Sequence, residues 1–293
     1  MNVSNKKIRV LVTGDGGQLA FELKRSVPDG VEVGFFSAEQ LDITNDVDVL
    51  REVKRFRPNW VINAAALTNV DLAEDEPEKT ALVNTQGAIN LANVAKQSNA
   101  RLVQVSTDYV FSGGSNEPYA VEDNAGPLSV YGRTKNDADK HVLSILGADV
   151  FVVRTSWVYS KHGHNFVKTI VGLCNKLDKL SVISDQLGTP TCASTLAAMI
   201  WQGIAQNISG IWHFTDAGIA SWYDFAVAIQ DIAFDLDLIG NKIPILPIVS
   251  TEYPQKAARP KYGILDKSKT WRELNVPAKH WHHVLENMMQ ELV

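Results

Sequence analysis

Cysteine is nearly absent: Cys174 and Cys192 are the only two in 293 residues, and no C-x-x-C pair occurs. A disulfide framework is excluded, and a reducing cytoplasm is the compartment that fits. Long apolar runs are missing as well. The first one, after Lys6 and Lys7, is short and broken by Arg9, so it reads as a first strand and not a signal peptide. No later stretch is apolar for long enough to cross a bilayer. There is no block of Lys or Arg, and a net charge of −5 leaves nucleic acid without its basic footprint. Internal repeats and low-complexity segments are also lacking. What remains is 45% apolar and 21% charged, an ordinary globular balance. The length suits one large α/β unit with a smaller attachment.

Ile8 to Thr13 is a short β-rich run ending in glycine, and Gln18 to Ser26 has the apolar spacing of a helix packed on a sheet. Between them Gly14, Gly17 and Ala20 form G-x-x-G-x-x-A. Glycines there permit a tight turn and let a pyrophosphate approach a helix N-terminus, where free N–H groups attract anions. Asp-Gly is also a common plain turn, but a strand before and a helix after supply the context of a dinucleotide site. Val31 to Phe36 is a second strand. An acidic residue commonly follows it and binds the ribose hydroxyls, whereas this chain has Ser37 and Ala38, with Glu39 two places further on. That allows NADP(H) and slightly favours it, although no arginine stands nearby. Asp42, in L-D-I-T-N, suits either the adenine amine or the opening of a helix that runs to about Phe56, with Thr44 or Asn45 as the cap.

Trp60 to Ala66 is a third strand ending in small residues that leave room for a ligand, and Asn63 can bridge neighbouring strands. Pro77 opens a long helix to about Ser98. Arg101 to Ser106 is a fourth strand and delivers Thr107 to its carboxyl end, the rim where open α/β sheets bind ligands. Downstream, Tyr131 and Lys135 stand four apart, on one face of a helix. A phenol with a pKa of about 10 carries protons poorly at neutral pH. An adjacent ammonium lowers that value and makes the phenol a usable acid, while Thr107 can hold the oxygen being protonated.

Asp149 to Thr155 is a fifth strand, and the alternation up to this point predicts a Rossmann-like, doubly wound parallel sheet. Loops follow. His162 and His164 lack the further ligands of a metal site, as do His280, His282 and His283, so no metal is expected. Gly210 to Thr215 returns to the sheet, and helical patterns at about Trp222–Phe234 and Ala278–Leu292 complete the chain. The expected organisation is a dinucleotide-binding domain over residues 1–157, with 192–216 returning to it. A smaller, discontinuous substrate-binding domain takes the remainder of 158–293.

Taken together, G-x-x-G-x-x-A, N-A-A-A-L-T-N-V-D, S-T-D-Y-V-F-S-G and P-L-S-V-Y-G-R-T-K resemble the extended short-chain dehydrogenase/reductases. With R-T-S-W-V-Y, N-F-V-K-T, D-Q-L-G-T-P-T and A-R-P, the chain resembles the dTDP-4-dehydrorhamnose reductase family along essentially its whole length. The resemblance implies a catalytic triad of Thr107, Tyr131 and Lys135. It places Gly17, Gln18, Leu19, Asp42, Ile43 and the Ala66, Leu67, Thr68 segment on the cofactor, NADPH with NADH as the second choice. It also sets Asp108 and Trp157 near the sugar. A nucleotide diphosphate needs donors from the second half, for which Arg259 is the first candidate, with Asn165 and Gln186 adding neutral hydrogen bonds. An ion pair tying the C-terminal segment to the sheet is the other role open to Arg259.

Three positions depart from the family pattern. Leu67 stands where family members often have a histidine and Val105 where some have a tyrosine beside the cofactor, while Ser194 stands where some relatives carry a glutamate linked to a metal at a dimer contact. Nucleotide-sugar 4,6-dehydratases resemble S-T-D-E where this chain has Thr107-Asp108-Tyr109, so the base for dehydration is missing and ketone reduction remains. The implied activity is NADPH-dependent reduction of a dTDP-linked 4-keto-6-deoxy sugar by a cytoplasmic monomer or homodimer. The alternatives are another reductase of the group and a catalytically silent nucleotide-binding subunit.

Overall fold

The computed structural model describes residues 7–293; the first six, with Lys6, lie outside the described residues. The chain runs β1 (Ile8–Thr13), α1 (Gln18–Arg25), β2 (Val31–Phe36), α2 (Asp46–Phe56), β3 (Trp60–Asn63) and α3 (Val70–Asp75). It continues through α4 (Pro77–Ala81), α5 (Gly87–Gln97), β4 (Arg101–Thr107), α6 (Val130–Leu146) and β5 (Val150–Thr155). These five strands and Gly210–His213 form one sheet in the order Gly210–His213, β5, β4, β3, β1, β2, every pair parallel. Buried parallel strands read as unbroken apolar runs, and β5 is buried at all six positions.

Side chains alternate across the sheet, so the strands feed two cores. Val10, Val12, Ile62, Val103 and Val153 meet Leu19 and Leu23 of α1 on one face. Leu196 and Ile200 from the later helix Ala193–Ala205 join them there. Leu11, Val61, Leu102 and Val152 meet Val49 of α2, Leu91 of α5 and Val142 of α6 on the other. Helices on both faces of a parallel sheet make the doubly wound Rossmann-like architecture that the alternation predicts.

Of the boundaries that differ from the sequence expectation, two bear on the site. β3 stops at Asn63, not Ala66, and its last side chain reaches both neighbouring strands. Asn63 accepts from the Thr13 hydroxyl at 3.0 Å and donates to Gln104 Oε1 at 2.9 Å, joining β1, β3 and β4. A helix also begins before Pro77: Asn69 caps α3 by accepting from Leu72 N at 3.0 Å. Pro77 then opens α4, and a π turn over Leu82–Gln86 leads into α5.

A third apolar cluster lies in the second half. It joins α7 (Phe166–Cys174), α9 (Trp222–Asp235) and Trp281–Gln290, with the strand Leu180–Ile183 paired in parallel to Ile245–Ile248. α8 (Ala193–Ala205) and Gly210–His213 run back from this half onto the large sheet. No described helix is long and apolar enough to cross a membrane.

Candidate active site

The glycine turn has the geometry of a phosphate cradle. Gly14 takes φ +77°, and a Cβ there would stand 2.8 Å from the amide nitrogen of Ala65, so only glycine fits. Gly17 N donates to Gly14 O at 3.1 Å, and Gly17 begins α1 without any side-chain cap. The first N–H groups of that helix therefore have no protein acceptor from a cap, and they fit an anion such as a pyrophosphate. Gly17, Gln18, Leu19, Ala66, Thr68, Thr107, Asp108, Tyr131, Lys135 and Trp157 all line one cavity of ≈ 550 Å³. Gly14 lies outside its lining but accepts from Gly17, which is in it. Asp42, Ile43 and Leu67 lie outside its lining.

α6 brings the phenol and the amine together. Ser129 caps it by accepting from Gly132 N at 3.1 Å. A Cβ on Gly132 would fall 2.3 Å from Tyr109 O, so the helix start lies hard against the turn that follows β4. The rings of Tyr131 and Tyr109 consequently meet edge to face, 5.6 Å between centroids. Thr107 Oγ1 donates to Asp108 Oδ1 at 3.1 Å and accepts from Tyr109 N at 3.2 Å. Gly263 closes over the Asp108 carboxylate, where a Cβ would stand 2.6 Å from Oδ2.

Burial dominates the electrostatics here. It pushes Asp108 up to about 7, against hydrogen bonds from Thr107 and backbone N–H groups. Lys135 falls to about 8, with the Asp139 carboxylate opposing the fall. Tyr131 does not show the lowered pKa that its spacing to Lys135 predicts. Its phenol is raised by burial, opposed by a hydrogen bond with Thr107, and raised further by Asp108 and Asp139. Burial of the phenol is the largest cause, and the neighbouring Lys135 Nζ donates to Val105 O at 2.6 Å. A raised pKa keeps the phenol protonated, which is the form a proton donor needs.

The side of the cavity opposite the turn is aromatic. Trp157 adopts φ +47°, a conformation that bulky residues rarely hold. Its indole stacks on Trp222 with centroids 3.6 Å apart and presses on Gly188, where a Cβ would stand 2.4 Å from Cε2. Trp222 is shared with a second cavity of ≈ 300 Å³ that reaches Gln186 and Arg259 and is otherwise mostly apolar. Arg259 is engaged there with Asp71 of α3, Nη2 to Oδ2 at 2.7 Å and Nη1 to Oδ1 at 3.1 Å. Asn165 faces elsewhere: it caps α7 by accepting from Lys168 N, and it donates to Gln18 Oε1 at 2.9 Å.

The chain matches the family described as RmlD substrate binding domain over residues 8–293. It is 37% identical to a dTDP-4-dehydrorhamnose reductase of Aggregatibacter actinomycetemcomitans, over 96% of this chain and 98% of that one. This chain belongs to the dTDP-4-dehydrorhamnose reductase (RmlD) family. It is therefore an NAD(P)-dependent oxidoreductase of that type. A crystal structure of Bacillus anthracis dTDP-4-dehydrorhamnose reductase in complex with NADP has a TM-score of 0.91 to it at 36% identity, covering 97% of this chain and 99% of the other. A dTDP-4-keto-6-deoxy-D-glucose reductase of Streptomyces niveus is 38% identical, over 93% of each.

Several residues of this RmlD-family chain acquire a role only in the fold. Asn84, presented by the π turn, accepts from Leu67 N at 2.8 Å and donates to Leu67 O at 3.1 Å, fixing the segment that continues to Thr68. A π turn has no sequence signature of its own, so spacing alone does not mark Asn84. Ile43 is buried; its carbonyl accepts from Asn90 Nδ2 at 3.0 Å and its side chain fills the space that a Cβ at Gly87 would need. Asp42 accepts from Thr44 N at 2.9 Å, while the cap of α2 is Asn45. Beyond β2, Ser37 Oγ donates to Glu39 Oε2 at 2.6 Å. Among the described residues one cluster brings metal-type donors within 4.8 Å of one another: His282, His283 and Glu286. It sits in the first turns of Trp281–Gln290, where the positive end of the helix disfavours a cation.

Proposed function

We propose that the protein reduces the C4 ketone of dTDP-4-dehydro-L-rhamnose to the alcohol of dTDP-L-rhamnose, in the cytoplasm, for cell-surface polysaccharide synthesis. The observation that carries this reading is the single cavity in which Thr107, Tyr131 and Lys135 face an uncapped helix N-terminus. When bound, NADPH or NADH supplies the two electrons and the hydrogen that reduce the carbonyl carbon. Gly17, Gln18 and Leu19 would hold its pyrophosphate, and Ala66 and Thr68 would contact it in the same cavity. Tyr131 donates its phenolic proton to the oxygen of the former ketone, and Thr107 hydrogen-bonds that same oxygen. Lys135 supplies positive charge near the developing tyrosinate and would hydrogen-bond the nicotinamide ribose of a bound dinucleotide. Because Tyr131 is raised in the free site, that positive charge matters most at the moment the proton leaves.

The substrate spans both cavities in this reading. The sugar lies against Trp157 and Asp108, and the nucleotide passes Trp222 into the cavity of Gln186 and Arg259. Asp108, raised to about 7, is half-protonated near neutrality and can donate to a sugar hydroxyl as well as accept from one. Tyr109 fills the place where a dehydrating enzyme needs a carboxylate. We further propose that residues 158–293, apart from 192–216, form the substrate-binding domain, and that the protein works as a monomer or homodimer.

The decisive assay follows loss of reduced-dinucleotide absorbance with dTDP-4-dehydro-L-rhamnose. One alcohol should form per dinucleotide oxidised. The identity to the Streptomyces niveus enzyme makes dTDP-4-keto-6-deoxy-D-glucose the second substrate to test. Faster turnover of that sugar would replace the first reading, and turnover of neither would end both.

A further inference from the structure

We infer that Glu39 is the residue that discriminates between the two nicotinamide dinucleotides, and that it favours the one without a 2′-phosphate. This inference rests on the reductase reading, but it concerns the opposite end of the cofactor from the chemistry. Position 37, where sequence reasoning looks for the ribose-binding carboxylate, holds a serine. The fold supplies the carboxylate by another route. After β2 the chain bends back, with Gln40 N and Leu41 N both donating to Ser37 O. Gln40 Oε1 accepts from Ser37 N at 3.0 Å, which pins the bend. Within it Ser37 Oγ donates to Glu39 Oε2 at 2.6 Å, drawing the Glu39 carboxylate onto position 37.

The glycine turn adjoins this bend, because Asp15 N donates to Phe36 O at 3.0 Å and Thr13 pairs with Phe36 in the sheet. In this fold the adenosine ribose lies between the glycine turn and the end of the second strand, and an acid about twenty residues after the turn meets its hydroxyls. Glu39 is an exposed carboxylate at that distance, and its hydrogen bonds keep it ionised.

The surrounding charge points the same way. Asp15 and Asp42 add further carboxylates on the two neighbouring loops. No lysine or arginine occurs from Val10 to Leu23 or from Ser26 to Leu50. Of the two cations between these stretches, Lys24 lies over the Phe35 ring and Arg25 pairs with Glu22 and Glu291. A ribose with free 2′- and 3′-hydroxyls can donate to the Glu39 oxygen that Ser37 leaves open. A 2′-phosphate brings a doubly charged acceptor to two loops that carry carboxylates and neither lysine nor arginine.

The test is dinucleotide binding to the whole protein without sugar substrate, followed by quenching of tryptophan fluorescence. The wild type should bind NADH more tightly than NADPH by roughly tenfold, the effect of 1.4 kcal/mol. Glu39→Gln should erase most of that gap by tightening NADPH, with the melting temperature unchanged because the side chain is exposed. Ser37→Ala, which removes the hydrogen bond that draws Glu39 inward, should narrow the gap part-way. If Glu39→Gln leaves the NADPH-to-NADH ratio where it was, the assignment is wrong. If the wild type binds NADPH at least as tightly as NADH, it is equally overturned, although the reductase reading survives. Failure of both dinucleotides to bind would overturn the reductase reading with it.

Discussion

Arg259→Ala separates the two roles that one guanidinium can play. The side chain is 19% exposed and its partner Asp71 41%, so their ion pair is only partly shielded from water. Pairs of that exposure contribute about 1 kcal/mol or less, which in a chain of this size corresponds to roughly 2–3 °C in melting temperature. Asp71 also keeps its backbone partners in the variant, accepting from Ala257 N at 3.0 Å and Lys256 N at 3.2 Å, so the loop retains much of its anchor. A charge-assisted bond from Arg259 to a substrate phosphate is worth about 1.5–3 kcal/mol, or roughly 10- to 150-fold in affinity. The two magnitudes fall on different instruments. Calorimetric titration with dTDP should show weakening by at least tenfold, while thermal unfolding moves by a few degrees and dinucleotide affinity stays constant. Asp71→Asn supplies the control: it releases Arg259 from its ion pair, so dTDP should bind as tightly as before or more tightly. A variant Arg259→Ala that melts more than about 5 °C earlier, yet binds dTDP normally, would make the arginine a structural tie to α3 and move the phosphate site elsewhere.

Three further outcomes follow from the site. Tyr131→Phe should lower turnover by roughly 10²–10⁴-fold while dinucleotide affinity is kept, and near-normal turnover would remove Tyr131 as the donor. Lys135 is held down to about 8, so kcat/KM should fall as pH rises through that value and the ammonium is lost. Stability has the opposite sign: burying this ammonium is unfavourable below about 8 and the penalty is relieved as pH climbs toward its ordinary range. Asp139→Asn removes a charge that supports the ammonium, so the falling limb of the pH–rate profile should move to lower pH; a limb that stays put would separate Asp139 from Lys135. Gly188→Ala would place a Cβ 2.4 Å from the Trp157 indole. It should displace that ring, cost about 1–3 kcal/mol in unfolding and raise KM for the sugar nucleotide, and an unchanged KM would take Trp157 away from the substrate.

The amino-acid sequence by itself determined the parts of this protein that are written over short distances. The five strands and the helices between them follow from apolar spacing, G-x-x-G-x-x-A from the needs of a turn before a helix, and the shared face of Tyr131 and Lys135 from helical geometry alone. These features depend on sterics within a few residues, which is why they can be read without the fold. Tertiary structure decided where the charges go. Lys135 turns to a carbonyl 30 residues upstream, and burial, which no local pattern encodes, then raises its phenolic neighbour when spacing predicts a fall. Asn84, in a π turn, reaches Leu67 across 17 residues, and Arg259 finds Asp71 across 188. The Trp157 indole, on a backbone at φ +47°, fits only because Gly188, from another segment, has no side chain in its way. Even Glu39, visible two residues beyond Ser37, is drawn back onto that position only by the bend after β2. A side chain's residue type is fixed by the sequence, but its partner and its dielectric surroundings are set by packing between segments far apart in the chain.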